Sequence, residues 1–125
     1  MCSIRCLPLL LLLGCNLADG PLGTVTPGEA AKKVGEKVTV EMEVKSVGRS
    51  KGVFFLNSEP NYRSAMNFTL FIDRASAARF KKAGIADPAE HFKEKTVRAT
   101  GTVKLYRGRP EIAIEDPKEI ELVEK

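Results

Sequence analysis

From Val38 to Val44 apolar and polar residues alternate without a break, and from Val97 to Leu105 they do so again. A period of two is that of a β-strand, and it commits one face of each segment to a core and the other to solvent. Val38, Val40, Met42 and Val44 oppose Thr39, Glu41, Glu43 and Lys45 in the first segment. Val97, Ala99, Val103 and Leu105 oppose Arg98, Thr100, Thr102, Lys104 and Tyr106 in the second. Gly101 falls in the apolar phase there, where a missing side chain lets a long strand bend or bulge. The chain has 125 residues, 43% hydrophobic and 29% charged, which is one domain able to bury a core. Trp is absent and aromatics make up 6%, so that core rests on Val, Ile, Leu and six Phe. Repeat arrays, coiled coils, collagens and multi-span membrane proteins are excluded.

Further strands are expected at Val53–Asn57, Asn67–Ile72 and Pro110–Glu115, with Ile120 and Leu122 in a short edge strand or tail. Gly48–Gly52 and Arg107-Gly108 read as turns, and Ser58–Met66 as a polar loop. Thr26-Pro27-Gly28-Glu29 is a capping box with Pro in the first helical position, opening a short helix that Gly35 ends. Asp73 caps a helix through Gly84 with Ala77, Phe80 and Ala83 on its inner stripe. Asp87-Pro88-Ala89-Glu90 repeats the capping pattern for one more turn, with Phe92 as its core contact.

All three cysteines, Cys2, Cys6 and Cys15, lie in the first fifteen residues, around the leucine run Leu7–Leu13 behind a basic start. That run is too short for a permanent membrane anchor, which takes roughly 20 apolar residues. It is the pattern of an export signal. Residues 1–18 are therefore expected to be a signal peptide. Leu12-Leu13-Gly14-Cys15 offers the alternative of a lipobox, with cleavage before Cys15 and lipidation of that cysteine. Residues 19–34 are expected to be a tether and short helix, and 35–125 the folded domain. Either cleavage leaves at most one cysteine, so no internal disulfide and no cysteine-based catalysis are expected. The processed protein is expected to be periplasmic or secreted, with no permanent transmembrane segment.

Three strands, a helical connection and two more strands is the order of the five-stranded OB barrel. The carriers of the likeness are Gly35-Glu-Lys-Val-Thr-Val, Phe54-Phe-Leu-Asn57, Phe68-Thr-Leu-Phe-Ile72, Lys95-Thr-Val-Arg-Ala-Thr-Gly101 and Tyr106-Arg-Gly-Arg-Pro-Glu-Ile112. Across about Gly35 to Leu122 the chain resembles the bacterial OB-fold nucleic-acid-binding domains of the anticodon-binding type. It departs from them at Glu41 and Met42, where many relatives carry a glycine. The resemblance implies an all-β fold with minor helix, a five-stranded OB barrel with a helix between strands three and four, to which the capping box at Thr26 adds a short N-terminal helix. It also implies ligand binding between the first hairpin loop and the loop joining strands four and five.

On this chain those loops carry Arg49 and Lys51, then Arg107 and Arg109. Single-stranded nucleic acid needs a basic groove with aromatic faces on which bases stack. Tyr62 and Tyr106 are the expected platforms, with Phe55 or Phe71 added if they face outward. Net charge is +4, and Lys37–Arg109 holds fifteen Lys and Arg against seven acids, which suits a polyanion. His91 beside Glu90 reads as a helix residue, and Glu41 and Glu43 lack the third acid that a nuclease metal site would need. No phosphate loop, Ser-His-Asp set or Cys/His cluster is present, so no enzyme, cofactor or metal is expected. Asn67-Phe68-Thr69 matches a glycosylation sequon by chance. The expected function is a non-enzymatic binding module for single-stranded nucleic acid. The alternative is an exported module for a glycan, another anion or a protein partner.

Overall fold

A computed structural model describes residues 23–123, and the expected signal peptide with Cys15 lies outside the described residues. The chain runs β1 (Thr24–Val25), α1 (Pro27–Ala30), β2 (Lys37–Glu43), β3 (Ser46–Ser50), β4 (Val53–Asn57), β5 (Thr69–Ile72), α2 (Arg74–Lys82), α3 (Pro88–Phe92), β6 (Thr96–Tyr106), β7 (Arg109–Ala113), a 3₁₀ turn (Pro117–Glu119) and β8 (Ile120–Leu122). The architecture is mostly β. One sheet runs β1-β2-β6-β7-β5-β4-β3, with β8 beside β6. No helix among the described residues is long and apolar enough to cross a membrane.

Among the described residues eight strands replace the expected five and short edge strand. The first long strand is divided: β2 pairs antiparallel with β6, and β3 pairs antiparallel with β4. Only Val44 and Lys45 separate them. The segment Gly48–Gly52, expected as a turn, lies mostly within β3, and its turn is confined to Lys51 and Gly52. The expected tether ends in β1, which pairs in parallel with β2 and buries Val25. The edge strand β8 lies on β6 through Ile120.

The alternation puts Val38, Val40, Met42, Val97, Ala99 and Val103 inside, joined by Leu56, Leu70, Ile72, Ile112 and Ile114. Leu105, expected inside, is 55% exposed, because β6 runs past the core as one arm of the β6–β7 hairpin. The helical connection is two helices. Asp73 caps α2 by accepting the Ser76 N–H at 2.8 Å, and Asp87 caps α3 by accepting the Glu90 N–H at 3.2 Å. Their Phe80 and Phe92 are buried and meet edge to face at 6.3 Å between centroids. Ala83, expected on the inner stripe, is exposed, and Ser76 is buried instead. The capping box at Thr26 forms as expected, with Thr26 N–H donating to Glu29 Oε1 at 2.9 Å.

Gly101 of β6 packs against the Ile112 side chain of β7. A Cβ built there would lie 2.5 Å from Ile112 Cγ2, and Ile112 is fully buried. Gly101→Ala should therefore destabilise the fold by about 1–3 kcal/mol, the usual cost of overpacking a core. The cost should shrink in an Ile112→Ala background, which removes the clashing methyl, as a double-mutant cycle by thermal unfolding would show. Additive costs would mean that the contact is not tight.

Candidate functional site

The sheet order decides which loops meet. Strand β7 lies parallel beside β5, with Thr69 opposite Glu111 and Leu70 opposite Ile112. That pairing brings the β6–β7 turn next to the long loop between β4 and β5. Between them, on the outer face of β3, β4 and β7, lies a groove of about 490 Å³. Its walls include Tyr62 from the loop, Tyr106, Arg109 and Glu111 from the hairpin, and Gly48, Arg49 and Phe55 from β3 and β4. Phe55 faces out, stacked obliquely on Phe71 at 5.7 Å, and Gly48 opposite it adds no side chain to the groove.

A buried polar network holds the Tyr62 loop. Asn67, of which only 7% is exposed, donates from Nδ2 to Tyr62 O at 3.2 Å and to Thr69 Oγ1 at 3.0 Å. Its Oδ1 accepts the Glu59 N–H at 3.2 Å. Ser46 Oγ donates to Glu59 O at 2.7 Å, and Thr69 Oγ1 donates to Asn57 Oδ1 at 3.0 Å. Arg109 Nη1 donates to the same Tyr62 carbonyl at 3.0 Å, tying loop to hairpin. The amide of the sequon asparagine is thus committed to structure.

The cations divide into two groups. Arg49 is taken by helix α3: its Nη2 lies 2.7 Å from Asp87 Oδ2 and 3.7 Å from Glu90 Oε2. The hydrogen bond from Arg49 holds the Asp87 carboxyl below its ordinary range and raises the guanidinium in turn. Lys51 stands outside the groove, in a turn whose carbonyl accepts Arg74 Nη2 at 2.8 Å. Lys51 and Arg107 each precede a glycine, and both residues of each turn have positive φ, as a two-residue type I′ hairpin demands. Arg107 lies over the Tyr106 ring at 5.3 Å. Arg109 forms no ion pair among the described residues, and its hydrogen-bond partner is a neutral carbonyl. Tyr62 and Tyr106 are 56% and 57% exposed, so their rings are available to a ligand.

Of the six residues expected at the site, Arg49, Tyr62, Tyr106 and Arg109 line one groove. Arg107 adjoins it through Tyr106, and Lys51 does not reach it. Two residues were not anticipated. Arg63 lies over the Tyr62 ring at 5.3 Å, mirroring the Arg107–Tyr106 pair. Glu111, a single acid in an alternating strand, carried no sequence signal, yet it sits half-buried in the groove. Glu41, by contrast, is occupied by Arg98 Nε at 3.0 Å, on β2 and β6.

No family model and no curated protein sequence matches the chain. Solved structures do. The OBody AM1L10 bound to hen egg-white lysozyme is similar over 85% of this chain and 98% of its own, with 21% identity and a TM-score of 0.56. Asparaginyl-tRNA synthetase from Pyrococcus horikoshii matches 79% of this chain at 20% identity and a TM-score of 0.53; the match spans 22% of that enzyme. The S. pombe Stn1-Ten1 complex matches 71% of this chain and 59% of its own, at 12% identity and a TM-score of 0.50. Identities this low show the fold alone. The fold is OB-like.

Burial raises the Glu111 carboxyl above its ordinary range, against a smaller lowering by Lys104 across the strand pair. The folded state then holds that proton at pH values where the unfolded chain has released it. Glu111 therefore lends stability below the unfolded value, near pH 4.3, that is lost as pH rises through the folded value. Glu111→Gln should raise Tm at pH 7 and leave it nearly unchanged at about pH 3.5, where both side chains are neutral. An equal effect at both pH values would assign the change to shape rather than charge.

Proposed function

We propose that the chain is a non-enzymatic OB-fold binding module that takes single-stranded nucleic acid across this groove. In this reading β2 and β3 are the two halves of one bent barrel strand, and β4, β5, β6 and β7 are the other four. The observation that carries the reading is the pairing of two exposed tyrosines with guanidinium groups along one groove. Stacking on aromatic faces beside a cationic edge is what a single strand requires, and it tolerates any base. Arg63, Arg107 and Arg109 form the edge, while Arg49 is largely spent on Asp87 and Glu90. That the fold is shared with part of a tRNA synthetase is in keeping with this choice of ligand.

A second reading, a protein partner on the same surface, is favoured by one observation: the OBody, matched over nearly its whole length, is bound to lysozyme. A glycan or another anion is the third. We also propose that the protein is exported in processed form, on the strength of the leucine run and the Leu12-Leu13-Gly14-Cys15 tetrad. Intact mass of the protein from its native source should lack at least the first fourteen residues. A mass retaining Met1 would end that proposal.

Binding of a short single-stranded oligonucleotide, followed by fluorescence anisotropy at several salt concentrations, tests the main reading. Affinity should fall steeply with salt as phosphate contacts release counterions. Arg107→Ala with Arg109→Ala should lower the slope of log affinity against log salt by about two, one for each lost contact. Tyr106→Ala should cost roughly 1–3 kcal/mol and leave the slope alone. A folded protein that binds at no salt concentration, or whose variants bind like the parent, would remove nucleic acid as the ligand.

A further inference from the structure

We propose that Glu111 makes the groove selective for guanine over the other bases. This rests on the nucleic-acid reading and names the base that the groove reads.

The groove is basic at its edge and acidic inside. Apart from the tyrosine hydroxyls, its other side-chain polar groups are engaged: Ser46, Asn57 and Thr69 bond with one another and with the Tyr62 loop, and Arg49 faces two carboxylates. Arg109 is held on the Tyr62 carbonyl. Among the described residues, the Glu111 carboxylate forms neither a hydrogen bond nor an ion pair. Lys104, opposite it on β6, acts only through the field. A half-buried carboxylate with open oxygens, in a groove also lined by two tyrosines, wants donors from the ligand.

An ionised carboxylate accepts on two oxygens and donates nothing, so it is a poor seat for phosphate and a good one for a donor-bearing edge. The four bases differ there. Uracil presents one N–H flanked by two carbonyls, which repel a carboxylate. Cytosine and adenine each present one amino group beside a ring nitrogen acceptor. Guanine alone presents two adjacent donors, N1–H and the 2-amino group, which match both carboxylate oxygens. With the base stacked against Tyr62 or Tyr106 and the phosphates on the arginine edge, Glu111 is the group left to read that edge.

Three single-stranded hexanucleotides, uridine throughout except for one central guanine, hypoxanthine or uracil, test this. The wild-type protein should bind the guanine hexamer roughly tenfold or more tightly than the uracil one, the discrimination expected of a bidentate pair. Hypoxanthine, which keeps N1–H and lacks the amino group, should fall between. In Glu111→Gln, which keeps the volume and removes the charge, the preference should collapse while the salt slope stays the same. Equal binding of all three by the wild type, or a guanine preference that survives Glu111→Gln, overturns the proposal. Equal binding that still depends on Tyr106 leaves the nucleic-acid reading standing and removes only guanine selection. Binding of none of the three at any salt concentration removes both.

Discussion

The handover at Val44 and Lys45 is the constraint on which the rest of the molecule depends. Val44 is fully buried; its N–H donates to Lys95 O at 2.8 Å and its carbonyl accepts the Glu94 N–H at 2.7 Å. One residue later Lys45 N–H donates to Asn57 O at 2.9 Å. Within two residues the backbone leaves β6 for β4, so β2, second from one end of the sheet path, runs straight into β3 at the other end. The sheet must curl back on itself, and its inner face becomes one continuous core. A polar residue in place of Val44 would leave that turn without its anchor.

Curling has a consequence for the outer face. With β7 beside β5, the tight β6–β7 turn rises next to the loop that carries Tyr62. Two donors, Asn67 Nδ2 and Arg109 Nη1, converge on the Tyr62 carbonyl, one from under the loop and one from across the groove. Arg109 therefore both orients a tyrosine and presents a charge. Helix α3, fixed by its Asp87 cap, draws Arg49 away and dims the charge on the β3 side. The groove that results has a cationic edge along the hairpin and a carboxylate within.

Much of this was legible in the residues because burial is one-sided. Strands β2, β6 and β7 announce themselves because apolar residues recur every second position, and β4 because Val53–Leu56 is an unbroken apolar run. Strand β3 escaped because Ser46–Ser50 holds one apolar residue, Val47, and its other face lines a groove rather than packing. Strand β1 is two residues long and exists only through its pairing with β2, which no local pattern encodes. The cluster of Tyr62, Tyr106 and Arg109 followed from topology. What each cation does there did not: Arg49 is claimed by an acid 38 positions away, and Glu111 is buried by neighbours from other strands. Alternating strands place acids on the outer face routinely, so only the assembled fold distinguishes Glu111 from Glu41.

The balance of forces in the groove leads to a spatial claim, which is that ligand and protein meet on the outer face of β3, β4 and β7. Backbone amide shifts of isotopically labelled protein, followed by NMR during titration with a short single-stranded oligonucleotide, test it most directly. The largest shifts should fall in Ser46–Arg49, Phe55, Tyr62 and Tyr106–Glu111, with α2 and the β2–β8 side unmoved. Shifts centred on α2, which carries Arg79, Lys81 and Lys82, would contradict the claim.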